Sequence, residues 1–294
     1  MRLALLTSAG ILALALAACG DDTAGGGGSG GVTSTASTST ATATTTAAST
    51  ATASGSGGAG GAGGEAVDVG TGGFGGASVD LACPDTDLEE EDLGELGPDP
   101  EEGDFTMDEA LEGLPEGDGV LRAIIDTDFG SITGELFPEI APIGVANFIG
   151  LARGRRAFLD TNNHWVRGRR FYDGLTFHRI LDDFVIQGGD QQGTGVGDAG
   201  YYFENETDND ESHTPGTLAY ANSGNDHSNG SQFYIVAEEP ADFLDGAYSI
   251  FGRCEPIGLV DAISEVPLEG DPEDGVPADP VYMHRVHVTR CAAD

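Results

Sequence analysis

Two stretches constrain this chain more than any other feature: Phe171–Gly189, FYDGLTFHRILDDFVIQGG, and Gly216–Val236, GTLAYANSGNDHSNGSQFYIV. In the first, aromatic and branched residues alternate with Gly and Asp around His178-Arg179, a pattern that predicts two short strands joined by a turn. The second has strand-like ends around an Asn/Ser/Gly-rich middle. An arginine inside so apolar a run needs a reason. Together the stretches supply one fixed cation, neutral hydrogen-bonding groups (Asn222, Ser223, Ser231, Gln232) and the aromatics Phe233 and Tyr234. They supply no paired carboxylates and no nucleophile beside a base. Such a set suits an uncharged, partly apolar group held and stabilised by hydrogen bonds.

The segments YDGLTFHR, VIQGGD, GTG, HTPGTLAYANSG, NGSQFYI, LDG and IFGR follow one another between Tyr172 and Arg253. In that order and spacing the chain resembles the cyclophilin-type peptidyl-prolyl cis-trans isomerases. The resemblance implies an all-β-dominated fold, a closed eight-stranded antiparallel β-barrel with an α-helix over each end. It also implies an isomerase (rotamase) that turns X-Pro peptide bonds, needs no cofactor or metal and serves protein folding. On the matching positions it makes Arg179 the donor to the prolyl nitrogen, with Gln187 orienting Arg179 and the substrate carbonyl. Asn222 makes backbone hydrogen bonds to the peptide, and Ala221, Ser223 and Gln232 line its groove. Phe177 and His178 flank the arginine, Phe184 and Val185 line the proline pocket, Tyr234 is its floor, and Phe243 and Leu244 its wall.

Several positions depart from the family's usual pattern: Val185 for methionine, Ser223 for alanine, Tyr234 for phenylalanine, Phe243 for tryptophan and Tyr248 for histidine. The Tyr234 hydroxyl costs affinity unless it finds a partner, and Tyr248 replaces a secondary substrate contact. The chemistry suits the residues. Rotation about a peptide bond meets a barrier of about 18–20 kcal/mol because the nitrogen lone pair is delocalised. A donor aimed at that nitrogen localises the pair, and a permanently charged, planar guanidinium is such a donor. A non-catalytic proline-peptide-binding or envelope assembly module on the same barrel is the alternative. A hydrolase lacks its nucleophile-elbow motif.

Charge decides what the rest of the chain excludes. Against 50 acidic residues stand 12 basic ones, all arginine, for a net charge of -38. Nucleic acid is excluded as a partner, because phosphate binding needs clustered cations that outweigh their surroundings. Arg153, Arg155, Arg156, Arg167, Arg169 and Arg170 do cluster, but the chain's own acids outnumber them, and the segment reads as an exposed loop with Trp165 pinned or exposed. GTGVGDAG lacks the Lys-Ser/Thr ending of a phosphate loop and reads as turns. His284 and His287 fall on opposite faces of a strand, which makes no zinc site.

The amino end, residues 1–18, has one positive charge, an apolar run and small residues, the pattern of a secretory signal. Its LAAC ending resembles a bacterial lipobox, with Cys19 lipidated (palmitate) and the protein anchored in the cell envelope at the outer membrane facing the periplasm or at the cell surface. An ordinary signal peptide cut nearby is the other reading. Residues 19–79 are a Gly/Ser/Thr/Ala-rich flexible linker that lacks the apolar surface to fold. Residues 80–118 are acidic, and between Asp85 and Asp118 sixteen acids meet no base. This predicts a solvated, disordered segment dispensable for folding, in preference to a calcium site, since no twelve-residue loop is present.

The folded domain is then 119–294. Strands are expected at Val120–Thr127, Ser131–Leu136, Tyr248–Cys254 and Val281–Thr289, with helices over PEIAPIGVANFIGLARG and Gly258–Glu265. With Cys19 taken by lipid, Cys83, Cys254 and Cys291 remain. Cys254 and Cys291 form the expected disulfide if their strands are neighbours. Proline-containing peptides or unfolded envelope proteins are the expected partners of a monomer.

Overall fold

The computed structural model describes residues 87–103, 105–117 and 119–290; the signal segment, Cys19, the 19–79 linker, Cys83 and Cys291 lie outside the described residues. In chain order the first half runs β1 (Glu91–Glu95), α1 (Met107–Leu111), β2 (Leu121–Thr127), β3 (Gly130–Leu136), α2 (Pro142–Arg153), β4 (Phe158–Leu159), β5 (His164–Arg167), β6 (Arg179–Leu181) and β7 (Val185–Gly188). It continues with β8 (Thr217–Tyr220), β9 (Phe233–Val236), a short 3-10 turn at Asp242–Leu244, β10 (Ile250–Glu255), α3 (Ile257–Ser264), β11 (Leu268–Gly270), β12 (Asp274–Pro277) and β13 (Met283–Arg290).

The expectation of a closed eight-stranded barrel with two helices is corrected. Among the described residues ten strands form one open antiparallel sheet in the order β11-β12-β6-β7-β9-β8-β10-β3-β2-β13, and three α-helices accompany it. The β11–β12 hairpin pairs with β6 through Asp274↔Leu181 and Gly275↔Ile180, so it occupies the edge at which β6 would meet a closing strand. Among the described residues, β13 and the approach to β6 are joined by an isolated bridge, Thr176↔Tyr282, and by Gly174 N–H to Met283 O at 2.8 Å, Phe177 N–H to Val281 O at 3.0 Å and Met283 N–H to Leu175 O at 2.7 Å. The hairpin sequence is short and rich in Gly, Asp and Pro, which hides strands among turn residues.

Side chains alternate across the sheet. Ile180, Ile186, Ile235 and Leu218 are cross-strand neighbours that point inward, into the main core. That core centres on Phe148 of α2, with ring centroids 5.0 Å from Tyr172, 5.6 Å from Phe233 and 5.2 Å from Phe251. Pro142 opens α2, and the first free helical N–H groups, Ile143 and Gly144, donate to the Glu206 carboxylate at 3.0 and 2.8 Å. Gly154 closes the helix at φ +73, a left-handed cap. Asn147 on the same helix is structural: its amide donates to Tyr220 Oη and Gly230 O and accepts from Tyr201 Oη.

Within the acidic segment, the described residues 87–103 and 105–117 form ordered elements. β1 pairs with β5, α1 begins with a Thr106/Glu109 capping box, and Ala110 and Leu114 join the main core. The arginine cluster is what holds this acidic strap. Arg156 is 2 % exposed; it pairs with Asp99 and Glu101 and lies 3.8 Å over the Tyr201 ring. Arg153, also buried, donates to the carbonyls of Ala110 and Glu112, and Arg167 pairs with Glu101. Trp165 is buried and donates to Gly97 O at 3.2 Å. Like charges keep a segment extended only when no counter-charge covers it; here the counter-charge comes about fifty residues later in the chain.

The premise of the expected disulfide also fails. Strands β10 and β13 are not neighbours, since β3 and β2 lie between them. Cys254 is a buried free thiol among the described residues.

Candidate active site

Of the predicted residues, the outward face of the same sheet carries Arg179, Val185, Gln187 and Tyr234. Register places Arg179 opposite Gln187, Gln187 opposite Tyr234, and Tyr234 opposite Ala219, one row across β6, β7, β9 and β8. Around its middle lies a second apolar cluster that includes Val185, Ala221, Tyr234, Leu244 and Tyr248, with Phe184 packed against it. Phe184 stacks on Phe243 with centroids 5.6 Å apart, and Phe243 is 70 % exposed, a wall standing into solvent. Gly189 follows β7 at φ +86, where a Cβ would stand 2.3 Å from Ser231 O, so only glycine lets the chain turn there.

Beside this apolar face lies a groove of about 260 Å³, lined by Gly195, Asp198, Ala221, Asn222, Ser223 and Gln232 among others. Gln187 Nε2 donates to Gln232 Oε1 at 2.9 Å, and Gln232 Nε2 donates to the carbonyls of Gly195 (3.0 Å) and Gly197 (2.8 Å). The loop is pinned from below by Asp190, whose carboxylate accepts the N–H groups of Gln192, Thr194 and Gly195. Burial raises that carboxyl's pKa, but the loop N–H groups outweigh it and hold it below its ordinary value. Asn222 spends its side chain locally, donating to Ala247 O at 3.1 Å and accepting from Gly224 N–H at 2.9 Å, which shapes the groove wall.

Two expectations are not met. Phe177 points inward, edge-on to Phe233 in the main core, because the backbone leading into β6 is bonded to Val281. It is not on the groove. Gln187 does not hold Arg179 either: among the described residues its Oε1 is buried with no donor. The guanidinium instead meets Asp274 of β12, Nε to Oδ1 at 2.8 Å and Nη2 to Oδ2 at 2.7 Å. His178 is buried, and burial pushes its imidazole pKa down against the pull of Asp190.

The residues that sequence reasoning missed are Asp274, His213 and Asp245. His213 lies against Tyr234 and Tyr248 of the apolar cluster, its Nε2 2.9 Å from Tyr234 Oη and its Nδ1 2.7 Å from Asp245 Oδ1. HTPG and LDG contain the last two, but neither segment by itself announces a contact between them. Among the described residues no group of three or more His, Cys, Asp or Glu side chains is placed to hold a metal ion.

Residues 122–288 match the family model for cyclophilin type peptidyl-prolyl cis-trans isomerase/CLD. The chain belongs to the cyclophilin-type peptidyl-prolyl cis-trans isomerases. This cyclophilin is 38% identical over 172 residues to peptidyl-prolyl cis-trans isomerase A of Mycobacterium tuberculosis, covering 57% of this chain and 91% of that one. To peptidyl-prolyl cis-trans isomerase B of Streptomyces anulatus it is 37% identical, with 57% and 96% covered. Peptidyl-prolyl cis-trans isomerase-like 1 of Homo sapiens matches at 42% over 147 residues, 48% of this chain and 78% of that one. Among solved structures, a Cryptosporidium parvum cyclophilin superposes with a TM-score of 0.50 at 26% identity, covering 58% of this chain and 99% of that one. The cyclophilin domain is an enzyme that isomerises X-Pro peptide bonds.

Proposed function

We propose that the outward face of β6, β7, β8 and β9 is where this cyclophilin turns the X-Pro bond, with Arg179 donating to the prolyl nitrogen in the twisted state. The observation that carries the reading is the cross-strand row Arg179–Gln187–Tyr234–Ala219, which sets a cation beside the apolar cluster. The prolyl ring rests on Phe184, Val185, Tyr234 and Leu244, and the peptide continues along Ala221, Asn222 and Ser223. A hydrogen bond that strengthens only as the nitrogen pyramidalises lowers the barrier without tightening the ground state. If it contributes about 3 kcal/mol, Arg179→Ala lowers kcat by roughly a hundredfold. Proton exchange spectroscopy on an Ala-Pro peptide, with matched circular dichroism of both proteins, measures this. Wild-type turnover in the variant rejects the role, and an inactive wild type moves the domain to a binding or assembly module.

The clients we assign are proline-containing segments of extracytoplasmic proteins, met by a monomer tethered through lipidated Cys19 and the 19–79 linker at the periplasmic or outer face of the envelope. LAAC after an apolar run supports this reading. Among the described residues no helix is long and apolar enough to cross a membrane. Mass analysis of the mature amino terminus tests the anchor; a chain that starts elsewhere without acyl groups removes it.

A further inference from the structure

Arginine is a useful donor to a weak acceptor only when its plane is fixed, because the free side chain has many rotamers and a small misplacement of a catalytic group is costly. The expected orienting group, Gln187, does not fix it here. Its Nε2 is committed to Gln232, and its Oε1 is buried without a donor among the described residues. What holds Arg179 is a carboxylate on the neighbouring strand. In the β12–β6 ladder Asp274 stands opposite Leu181. Arg179 lies two residues from Leu181 and so shares its face, the diagonal position from which long side chains still meet. The two contacts, 2.8 and 2.7 Å, are charge-assisted and side-on, and they engage Nε and Nη2. They leave the Nη1 N–H groups uncommitted. Both partners sit on strands of one sheet rather than on loops, and the hairpin is tied back by Asp182 N–H to Glu273 O at 3.1 Å.

We propose that Asp274 is a positioning residue for the isomerase reaction, holding the Arg179 guanidinium by its Nε–Nη2 edge so that its Nη1 edge is presented to the prolyl nitrogen; this rests on the donor role given to Arg179 above. The carboxylate does not defeat the donor. Rotation about the bond gathers a lone pair on nitrogen without creating a net charge, so a directed N–H is what the twisted state requires. Asp274 itself touches no reacting atom.

The test is a double-mutant cycle on the full chain, with kcat and KM measured on an X-Pro peptide for wild type, Asp274→Ala, Arg179→Ala and the double variant. Asp274→Ala is expected to lower kcat by about tenfold, the scale of a loosened catalytic geometry, with KM held within about twofold. Adding Asp274→Ala to Arg179→Ala is expected to change nothing further. Asp274→Asn, which keeps the shape of the side chain, guards against misfolding and is expected to lose kcat in the same direction. Asp274→Glu, which keeps the charge, is expected to recover part of it. In nitrogen-15 spectra the Arg179 Nε–H signal is expected to shift in Asp274→Asn. Activity of the Asp274 variants equal to or above wild type overturns the proposal. So does an equal loss in the presence and absence of Arg179, which would make Asp274 a structural residue only. Wild-type turnover in Arg179→Ala would instead remove the donor role, and with it the proposal; an inactive Arg179→Ala beside an unaffected Asp274→Ala removes the proposal alone.

Discussion

The Tyr234 hydroxyl meets Nε2 of His213 at 2.9 Å beneath the proposed proline pocket. Asp245 takes the other ring nitrogen at 2.7 Å and the His213 backbone N–H at 2.8 Å. A carboxylate at Nδ1 fixes the proton there, so Nε2 is the acceptor and the phenol donates to it. The extra hydroxyl on the pocket floor is therefore paired rather than left to desolvate against the substrate. Tyr234→Phe strands Nε2 in a buried site, and a lost partner of that kind costs about 1–3 kcal/mol. Urea unfolding should show the drop; an unchanged midpoint would mean that the contact contributes nothing.

The same histidine makes stability depend on pH. Burial pushes His213 below the usual imidazole pKa and outweighs the opposing pull of Asp245, and burial acts likewise on His178. A group that binds its proton less readily when folded contributes stability above its unfolded pKa of about 6.5, and that stability is lost as pH falls through the folded value. His213→Gln should therefore flatten the stability–pH curve below about pH 6.5 relative to wild type. Burial raises Asp173 and Glu206, whose contributions run the other way, but they are common to both proteins and cancel in the comparison. Parallel curves for the two proteins would show that His213 does not titrate as argued.

Much of the site was legible because its residues come in short, ordered motifs. Arg179, Gln187 and Tyr234 each lie in one, and the register of β6, β7 and β9 puts them on a common face. The parts that escaped are pairings across long stretches of chain. Asp274 reaches Arg179 from 95 residues away, out of a hairpin whose sequence looks like turns. The acidic segment was read by its own charge, whereas its structure depends on arginines some 57 residues downstream, as at Asp99 and Arg156. The open sheet was missed for the same reason as Asp274, since β11 and β12 are the strands that displace closure.

That strap makes a prediction of its own. A chain beginning at Gly119 loses α1 and the burial of Leu114 and Ala110 against the core, along with the partly buried Phe105. Burying one such large side chain is worth about 1.5–3 kcal/mol, so the truncated domain should unfold at least about 3 kcal/mol more easily. Coincident denaturation curves for truncated and full-length chains would return residues 87–117 to the status of a linker.

Cys254 should be inert in the folded protein. It is fully buried, and burial alone pushes its thiol pKa up to about 12, so almost no thiolate exists to react at neutral pH. Alkylation followed by peptide mapping should leave the Cys254 peptide unmodified in buffer and modify it in denaturant. Rapid native labelling at that peptide would contradict the buried environment described for β10.

The division of labour across the site gives the last prediction. Phe184 has its backbone fixed on both sides, N–H to Leu181 O at 3.0 Å and O to Ala237 N–H at 2.8 Å, while its ring is only partly buried and stacks on the exposed Phe243. Truncating it should empty the wall of the proposed proline pocket without disturbing the strand. A wall contacts the prolyl ring equally in the planar and twisted states, so its loss is a loss of uniform binding. Phe184→Ala should therefore raise KM by about tenfold, the cost of roughly half a buried aromatic contact, and leave kcat nearly intact. Arg179→Ala should show the opposite split, because the hydrogen bond proposed for it is made to a nitrogen that becomes a good acceptor only when twisted. Progress curves over a range of X-Pro peptide concentrations, with melting curves to exclude unfolding, separate the two. A fall in kcat at constant KM for Phe184→Ala would place the ring at the rotating bond instead of the pocket wall.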